Sequence, residues 1–356
     1  MAIFVRDSSH LFIFSKKCFS VNTAQSYPLV ESTLLFRLVF NMVFLIFLVC
    51  LVLSLLFVSK FAQVAIKHLT IIANVLRWNA FVIAFLILGV ATSIPEFLIG
   101  INSALDKTPQ LSLGNLIGAT IVLLTLVTGL TAFISGKVGV DSNFTKNDLF
   151  VTTFILFFPL ALFYDNYFGR ADAIIVLVMY GFYITKVYRD RHKLRSTTEE
   201  PEKNGKILKH LFVFLGSFAI VAISSKMAVE SAVYIAETIK LPLLLVGILV
   251  FSIGTNLPEL TLAITAIRKK DTALIGGNVL GSATTNSLII AILGLIYPIK
   301  IIETQLFMVS IFFFTIAVLV FAHFVKSRSE ISRIEGFFLL TIYFLFLIFE
   351  IITKLV

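Results

Sequence analysis

Long apolar stretches separated by short polar breaks run through most of this chain. The clearest cover 42–59, 78–95, 108–136, 149–164, 241–258, 272–299 and 304–325. Most reach the roughly 18–20 residues that a helix needs to cross hydrocarbon about 30 Å thick. Three shorter ones, 173–185, 211–225 and 336–349, complete a span only with their flanking residues. The runs are unbroken rather than alternating, which suits spanning helices and not the strands of a barrel. The pattern predicts an all-α polytopic membrane protein with about ten transmembrane helices.

One break differs from the rest. Residues 189–209 hold Arg191, His192, Lys193 and Arg195, then Glu199, Glu200, Pro201, Glu202, Asn204 and Gly205. Nothing in that stretch could lie in lipid, so it reads as a linker between a five-helix half at 42–188 and a second at 210–356. An odd number of helices per half makes the halves cross the membrane in opposite senses. Residues 1–41 fit no part of this plan. Their apolar run at 11–14 is too short to span, and no small-residue cleavage site follows it. They read as an N-terminal tail, or Met42 is the true start.

Composition narrows the class. Of 356 residues, 58% are apolar and 14% charged, against roughly 45–50% and about 25% in soluble domains. That excludes a large soluble protein and a disordered one, and the two cysteines, Cys18 and Cys50, exclude a disulfide framework. The formal charge of +9 comes from 29 Lys and Arg against 20 Asp and Glu. With the linker in the cytoplasm, nineteen of the 29 lie on its side and five on the other. This is the bias of cytoplasmic loops and not the footprint of a nucleic-acid partner. It predicts both termini outside, and the short linker points to a prokaryotic plasma membrane.

An internal repeat carries the chemistry. Gly89-Val-Ala-Thr92-Ser93-Ile-Pro95-Glu96, followed by Gly114-Asn115-Leu-Ile-Gly118, matches a second set at an offset of 163 residues. That set is Ser252-Ile-Gly-Thr255-Asn256-Leu-Pro258-Glu259 and Gly277-Asn278-Val-Leu-Gly281. Thr, Pro, Glu, Gly, Asn and Gly all coincide, so the halves are duplicated, and five helices per half makes them inverted repeats. Helices interrupted at corresponding places of inverted repeats point to a transporter's binding site. Pro95 and Pro258 each deprive a carbonyl, that of Ala91 or Gly254, of its helical partner. Spacing of four places Thr92 with Glu96, and Thr255 with Glu259, one turn apart on a helix face. The four repeat glycines have the spacing that lets helices approach closely.

A carboxylate alone at mid-bilayer costs at least a few kcal/mol. Neither repeat carries a basic residue beside its Glu, so a simple ion pair does not explain them. Two carboxylates with hydroxyls and backbone carbonyls form an all-oxygen, doubly negative donor set. Hard cations such as Ca²⁺ and Na⁺ prefer that shell, whereas Zn²⁺ or Cu²⁺ would call for His or Cys. No cofactor is implied beyond the transported ions.

These segments, Thr-Ser/Asn-x-Pro-Glu and Gly-Asn-x-x-Gly, resemble the two α-repeats of the sodium/calcium exchanger family within the cation/Ca²⁺ antiporter superfamily. The resemblance covers both halves and implies a ten-helix fold that moves Ca²⁺ against Na⁺ or H⁺ by alternating access. By that likeness Glu96 and Glu259 bind Ca²⁺ at the centre, with backbone oxygens at Thr92 and Thr255. Ser93 and Asn256 help to form flanking Na⁺ sites. The family pattern continues Gly-Ser-Asn-x-x-Asn or Asp. The second repeat keeps Ser282 and Asn286 but has Ala283 between them, and the first has Ala119, Thr120 and Leu123. Either water and backbone oxygens compensate, or a flanking Na⁺ site is weakened, with fewer counter-ions or H⁺ coupling as the result.

Other residues add less. Lys226 and Glu230, one turn apart, predict a local buried ion pair; His323 reads as packing or interfacial, and the 37 Phe residues as lipid-facing. Trp78, Tyr164 and Tyr188 sit where an aromatic belt would place them. A cation channel would also use carboxylates but needs no internal inversion. An intramembrane hydrolase could use an acid–base pair, but no Ser–His or Cys–His arrangement accompanies it. The sequence points to a non-enzymatic antiporter whose partners are inorganic cations and lipid, with a monomer sufficient.

Overall fold

A computed structural model describes residues 29–75, 89–139, 146–191, 207–269, 273–328 and 330–355. The expectations for residues 1–28, Trp78 and the interior of the linker, 192–206, lie outside the described residues. The chain divides into two compact units at Val43/Phe44. The first is helical from Leu29; all that follows concerns the second.

The first half contains α1 (Leu29–Val75), the short α2 (Gly89–Thr92) and α3 (Ile94–Leu105), then α4 (Pro109–Ile121). A π-helical stretch, Val122–Val127, joins α4 to α5 (Thr128–Ser135), and α6 (Lys146–Ala161) and α7 (Arg170–Arg191) follow. The second half runs α8 (Ile207–Ile239), α9 (Leu243–Val246), a π-helical stretch Gly247–Phe251, α10 (Ser252–Thr255) and α11 (Leu257–Lys269). It ends with α12 (Ala273–Ile296), α13 (Thr304–Arg328) and α14 (Arg333–Leu355). Local chemistry sets several boundaries. Pro109 opens α4, where a missing N–H costs nothing, and Gly136 closes α5 at φ 91°, a conformation that favours glycine.

Among the described residues, six helices are long and apolar enough to cross a membrane, or seven if the bent pair Leu243–Thr255 and Leu257–Arg268 counts as one span. This is fewer than the ten read from the sequence. Residues 76–88 lie outside the described set, and α3 and α6, with 12 and 16 residues, are each shorter than a bilayer core. The predicted run 241–258 does not end in one straight helix: it is helical over Leu243–Thr255 and bends by 41° at Asn256 into Leu257–Arg268. Pairs Thr92/Glu96 and Thr255/Glu259 therefore flank a break instead of sharing one continuous helix.

Burial separates core from periphery. In the spans built on α4–α5 and on α12, 78% of the most apolar window is inside, against 28% for α1 and 17% for α8. The first two form the core and the last two face outward, packed on one another through Phe47–Tyr234 at one end and His68–His210 at the other. Phenylalanine is divided in the same way. Phe57, Phe182 and Phe344 are exposed, but Phe163, Phe168, Phe251, Phe307, Phe321 and Phe346 are fully buried, so the lipid-facing expectation holds for only part of them. Tyr164 and His323 are exposed. Lys226 and Glu230 do pair, at 3.8 Å, but both are more than half exposed, which corrects the buried reading.

Four short strands were not expected. β1 (Lys137–Gly139) pairs antiparallel with β4 (Glu330–Ser332), and β2 (Tyr167–Phe168) with β3 (Ile299–Lys300). Shifting β1 and β2 by the 163-residue repeat offset lands them on the β3 and β4 regions. The two ribbons are thus the same cross-half pairing made twice, with a register differing by two residues. Polar loop backbones at helix ends pair here because a backbone group left unpaired beside a packed core is costly.

Close packing positions the site. A Cβ added to Gly114 would lie 2.1 Å from the Leu244 carbonyl oxygen, and one on Gly247 would lie 2.1 Å from that of Leu111. Here α4 and the α9–π segment touch backbone to backbone. Gly118 is also tight, its added Cβ lying 2.8 Å from Ser252 Cβ and 2.9 Å from the Ile248 carbonyl oxygen. Gly277, the repeat counterpart of Gly114, has no atom within 4 Å among the described residues, which departs from the expected symmetry.

Candidate functional site

The site is built on two helix breaks. Ser93 separates α2 from α3 at φ −87°, ψ 12°, and Asn256 separates α10 from α11 at φ −87°, ψ 7°. The dihedrals match because the sequences do: each break stands two residues before a proline, which withholds an N–H from the turn above. Ladder bonds resume at once, Phe97 N–H donating to the Ser93 carbonyl (2.9 Å) and Leu260 N–H to that of Asn256 (3.0 Å). Glu96 and Glu259 thus fall in the first turns of α3 and α11, where helix N-termini favour negative charge.

Each break packs against the long helix of the other half. Thr92 Oγ1 is 2.7 Å from Ser282 Oγ on α12, and Thr255 Oγ1 donates to Asn115 Oδ1 on α4 at 3.2 Å. Thr255 also lies against the Glu96 carboxyl, and Glu96 is close enough to Glu259 for the two to interact electrostatically. Asn286 Nδ2 donates to Thr120 Oγ1 at 3.0 Å, and Asn256 Nδ2 to the Ser252 carbonyl at 2.7 Å. All eight site residues read from the sequence, Thr92, Ser93, Glu96, Thr255, Asn256, Glu259, Ser282 and Asn286, are buried to 2% exposure or less.

Most of the leftover polar atoms are oxygens. Glu96 Oε2, Glu259 Oε2, Asn256 Oδ1 and Asn286 Oδ1 are buried and have no hydrogen-bond partner. In both of these amides the nitrogen is satisfied and the oxygen is left over, whereas at Asn115 the oxygen accepts from Thr255 and the nitrogen is unpartnered. Buried polar atoms are normally paired, so these four oxygens, three at the breaks and one on α12, form an acceptor set in want of a donor. A hard cation satisfies such a set. Among the described residues there is no group of three or more His, Cys, Asp or Glu that could hold a metal.

The two flanks of this site are unequal. Under the repeat offset Ser282 corresponds to Ala119, Asn286 to Leu123, and Thr120 to Ala283. The polar contact Asn286–Thr120 thus has as its counterpart two buried apolar residues, Leu123 and Ala283. With no hydroxyl at 119, Thr255 turns to Asn115 instead. Asn115 and Thr120 are contacts that the sequence reading did not include in the site. The signal for Asn115 was present, because it is the Asn of the Gly-Asn repeat; Thr120 follows only from the crossing of α4 with α12.

A profile of the sodium/calcium exchanger protein family matches residues 46–189 and 209–352. The chain is 26% identical over 340 residues to sodium/calcium exchanger MaX1 of Methanosarcina acetivorans, covering 84% of this chain and 96% of that protein. It is 28% identical over 225 residues to inner membrane protein YrbG of Escherichia coli, covering 60% of this chain and 68% of that protein. A solved structure of the sodium-calcium exchanger NCX_Mj, soaked with Na⁺ and Sr²⁺, superposes with a TM-score of 0.60 at 22% identity, over 85% of this chain and 97% of that one. That likeness concerns the fold. Together with the matched breaks and their oxygen donors, the family match over both halves means that this chain belongs to the sodium/calcium exchanger family.

Proposed function

We propose that this chain is a secondary antiporter that exchanges Ca²⁺ for Na⁺ by alternating access, with the divalent ion held between Glu96 and Glu259 near the membrane midplane. The observation that carries this reading is the pair of sequence-matched helix breaks, each presenting a buried carboxylate with an unpartnered oxygen. Two carboxylates balance one Ca²⁺, and the hydroxyls and backbone carbonyls at Thr92 and Thr255 complete an oxygen shell. Ser93, Asn256, Ser282 and Asn286 serve the flanking monovalent ions. The full architecture is ten spans in two inverted five-helix repeats, with the linker in the cytoplasm and both termini outside. The cross-half strand pairs, each the repeat image of the other, support the inversion. A site between two inverted halves can open to either side when one half rocks against the other, and a channel or a hydrolase has no use for that symmetry.

A second reading is favoured by one observation. Ala119, Leu123 and Ala283 carry no side-chain oxygen where the other copy of the repeat has Ser282, Asn286 and Thr120, so the flanking site on the Ala119/Asn256 side is weakened and fewer monovalent ions bind per Ca²⁺, or H⁺ replaces Na⁺. Counter-flow of ⁴⁵Ca²⁺ in proteoliposomes, with Na⁺ and pH gradients imposed independently, decides between the two. Uptake driven by Na⁺ alone supports the first reading and uptake driven by pH alone the second. Currents of single-channel size would reject both.

A further inference from the structure

A third buried carboxyl lies outside the cation site. Glu350, on α14, is fully buried. Its Oε1 stands 2.6 Å from Ser310 Oγ on α13, and its Oε2 has no partner. Phe313 stacks against both Phe346 and Phe349 at 5.6–5.7 Å, so aromatic rings line this part of the α13–α14 seam. The expectation that Glu96 and Glu259 are the two carboxylates in need of explanation overlooked it, because position 350 lies just past the apolar run at 336–349.

Ser310 Oγ donates to Glu350 Oε1 at 2.6 Å and also lies 2.9 Å from the Leu306 carbonyl, so its one hydrogen is divided between two acceptors. A carboxyl buried this fully, with one oxygen unpartnered, ionises only at a large cost unless a cation is beside it. No cation is placed to stabilise an anion instead. His323, Lys326 and Arg328 of α13 lie at its far end, some 20 Å away at 1.5 Å per residue. The π-helical stretch Val122–Val127 and α5, both packed on α14, have no titratable side chain. Glu330 of β4, and Arg333 and Glu335 of α14, are at the opposite end, and Tyr343 is two turns away. Lys354, one turn beyond Glu350, makes no ion pair with it; it lines a cleft of about 430 Å³ with Ile302, Glu303, Gln305, Leu306 and Thr353. That cleft shares Leu306 with the turn that carries Ser310, and Glu350 itself does not line it.

We propose that Glu350 is a proton-binding site, separate from the cation site: its buried carboxyl is protonated and hydrogen-bonded to Ser310 Oγ. The test is infrared spectroscopy of the full-length protein in lipid at neutral pH. Expected is a protonated-carboxyl C=O band that stays when Ca²⁺ is added and disappears in Glu350→Gln. In Ser310→Ala the same band should move to higher wavenumber, because the carboxyl loses its hydrogen-bond partner. A carboxyl region identical in wild type and Glu350→Gln would overturn the assignment. Should Glu350→Gln not fold, Ser310→Ala carries the test: a moved band supports the site, and an unmoved one rejects it.

Discussion

The crossing of α4 with the α9–π segment can be tested with one methyl group. In Gly114→Ala the added Cβ would stand 2.1 Å from the Leu244 carbonyl oxygen, where real Cβ contacts essentially never fall below 3.0 Å. The obstacle is backbone, so no side chain can swing aside, and the two segments must separate by close to 1 Å. Overpacking of this kind costs about 1–3 kcal/mol. The functional loss should be larger than the stability loss, because Asn115 on α4 meets Thr255, on α10 directly after the π-helical stretch, at 3.2 Å. A displacement of about 1 Å at a positioned site can cost roughly a hundredfold in rate. Gly247→Ala meets the Leu111 carbonyl at the same 2.1 Å and should behave alike. Gly216→Ala is the control: it has nothing within 4 Å, and alanine in a helix gains about 0.5–1 kcal/mol over glycine. The assays are thermal unfolding of the purified protein in detergent and initial ⁴⁵Ca²⁺ uptake into proteoliposomes. Gly114→Ala that unfolds and transports like wild type would refute the backbone contact and the site geometry that depends on it.

Three further outcomes follow from named contacts. Glu96→Gln and Glu259→Gln each remove one of the two charges that the proposed site offers to a divalent ion and should nearly abolish Ca²⁺ flux while the protein remains extractable; transport retained in both overturns the site. Leu123→Asn combined with Ala119→Ser restores oxygens to the apolar flank and should raise the Na⁺ moved per Ca²⁺, read as paired ²²Na⁺ and ⁴⁵Ca²⁺ fluxes; an unchanged ratio shows that the flank binds no monovalent ion. His68 and His210 meet Nδ1 to Nδ1 at 2.7 Å, a contact that needs one nitrogen bare. A cross-link between cysteines placed near this end of α1 and α8 should therefore form readily in the otherwise wild-type protein and less readily in His68→Leu, and an unchanged yield rejects the contact.

Much of this protein is determined by sequence through two simple constraints. Hydrocarbon demands long apolar helices, so the fold class follows from composition and run length. A buried carboxylate demands a reason, so Glu96 and Glu259 announce themselves, and the duplicated Pro-Glu segments tell where the helices break. Tertiary structure decided the rest, because it depends on which residues meet across 140–190 positions of chain. That Thr120 partners Asn286, that Thr255 turns to Asn115 because position 119 has no hydroxyl, and that Gly114 is pressed against a backbone while Gly277 has no described neighbour are facts of helix crossing. Periodicity does not encode them. Glu350 shows the same limit from the other side: in sequence it looks like the polar end of a last helix, and only packing against Ser310 buries it. Local pattern reports what each helix must hide from water or lipid, and the crossing geometry decides which buried oxygen is left to bind an ion.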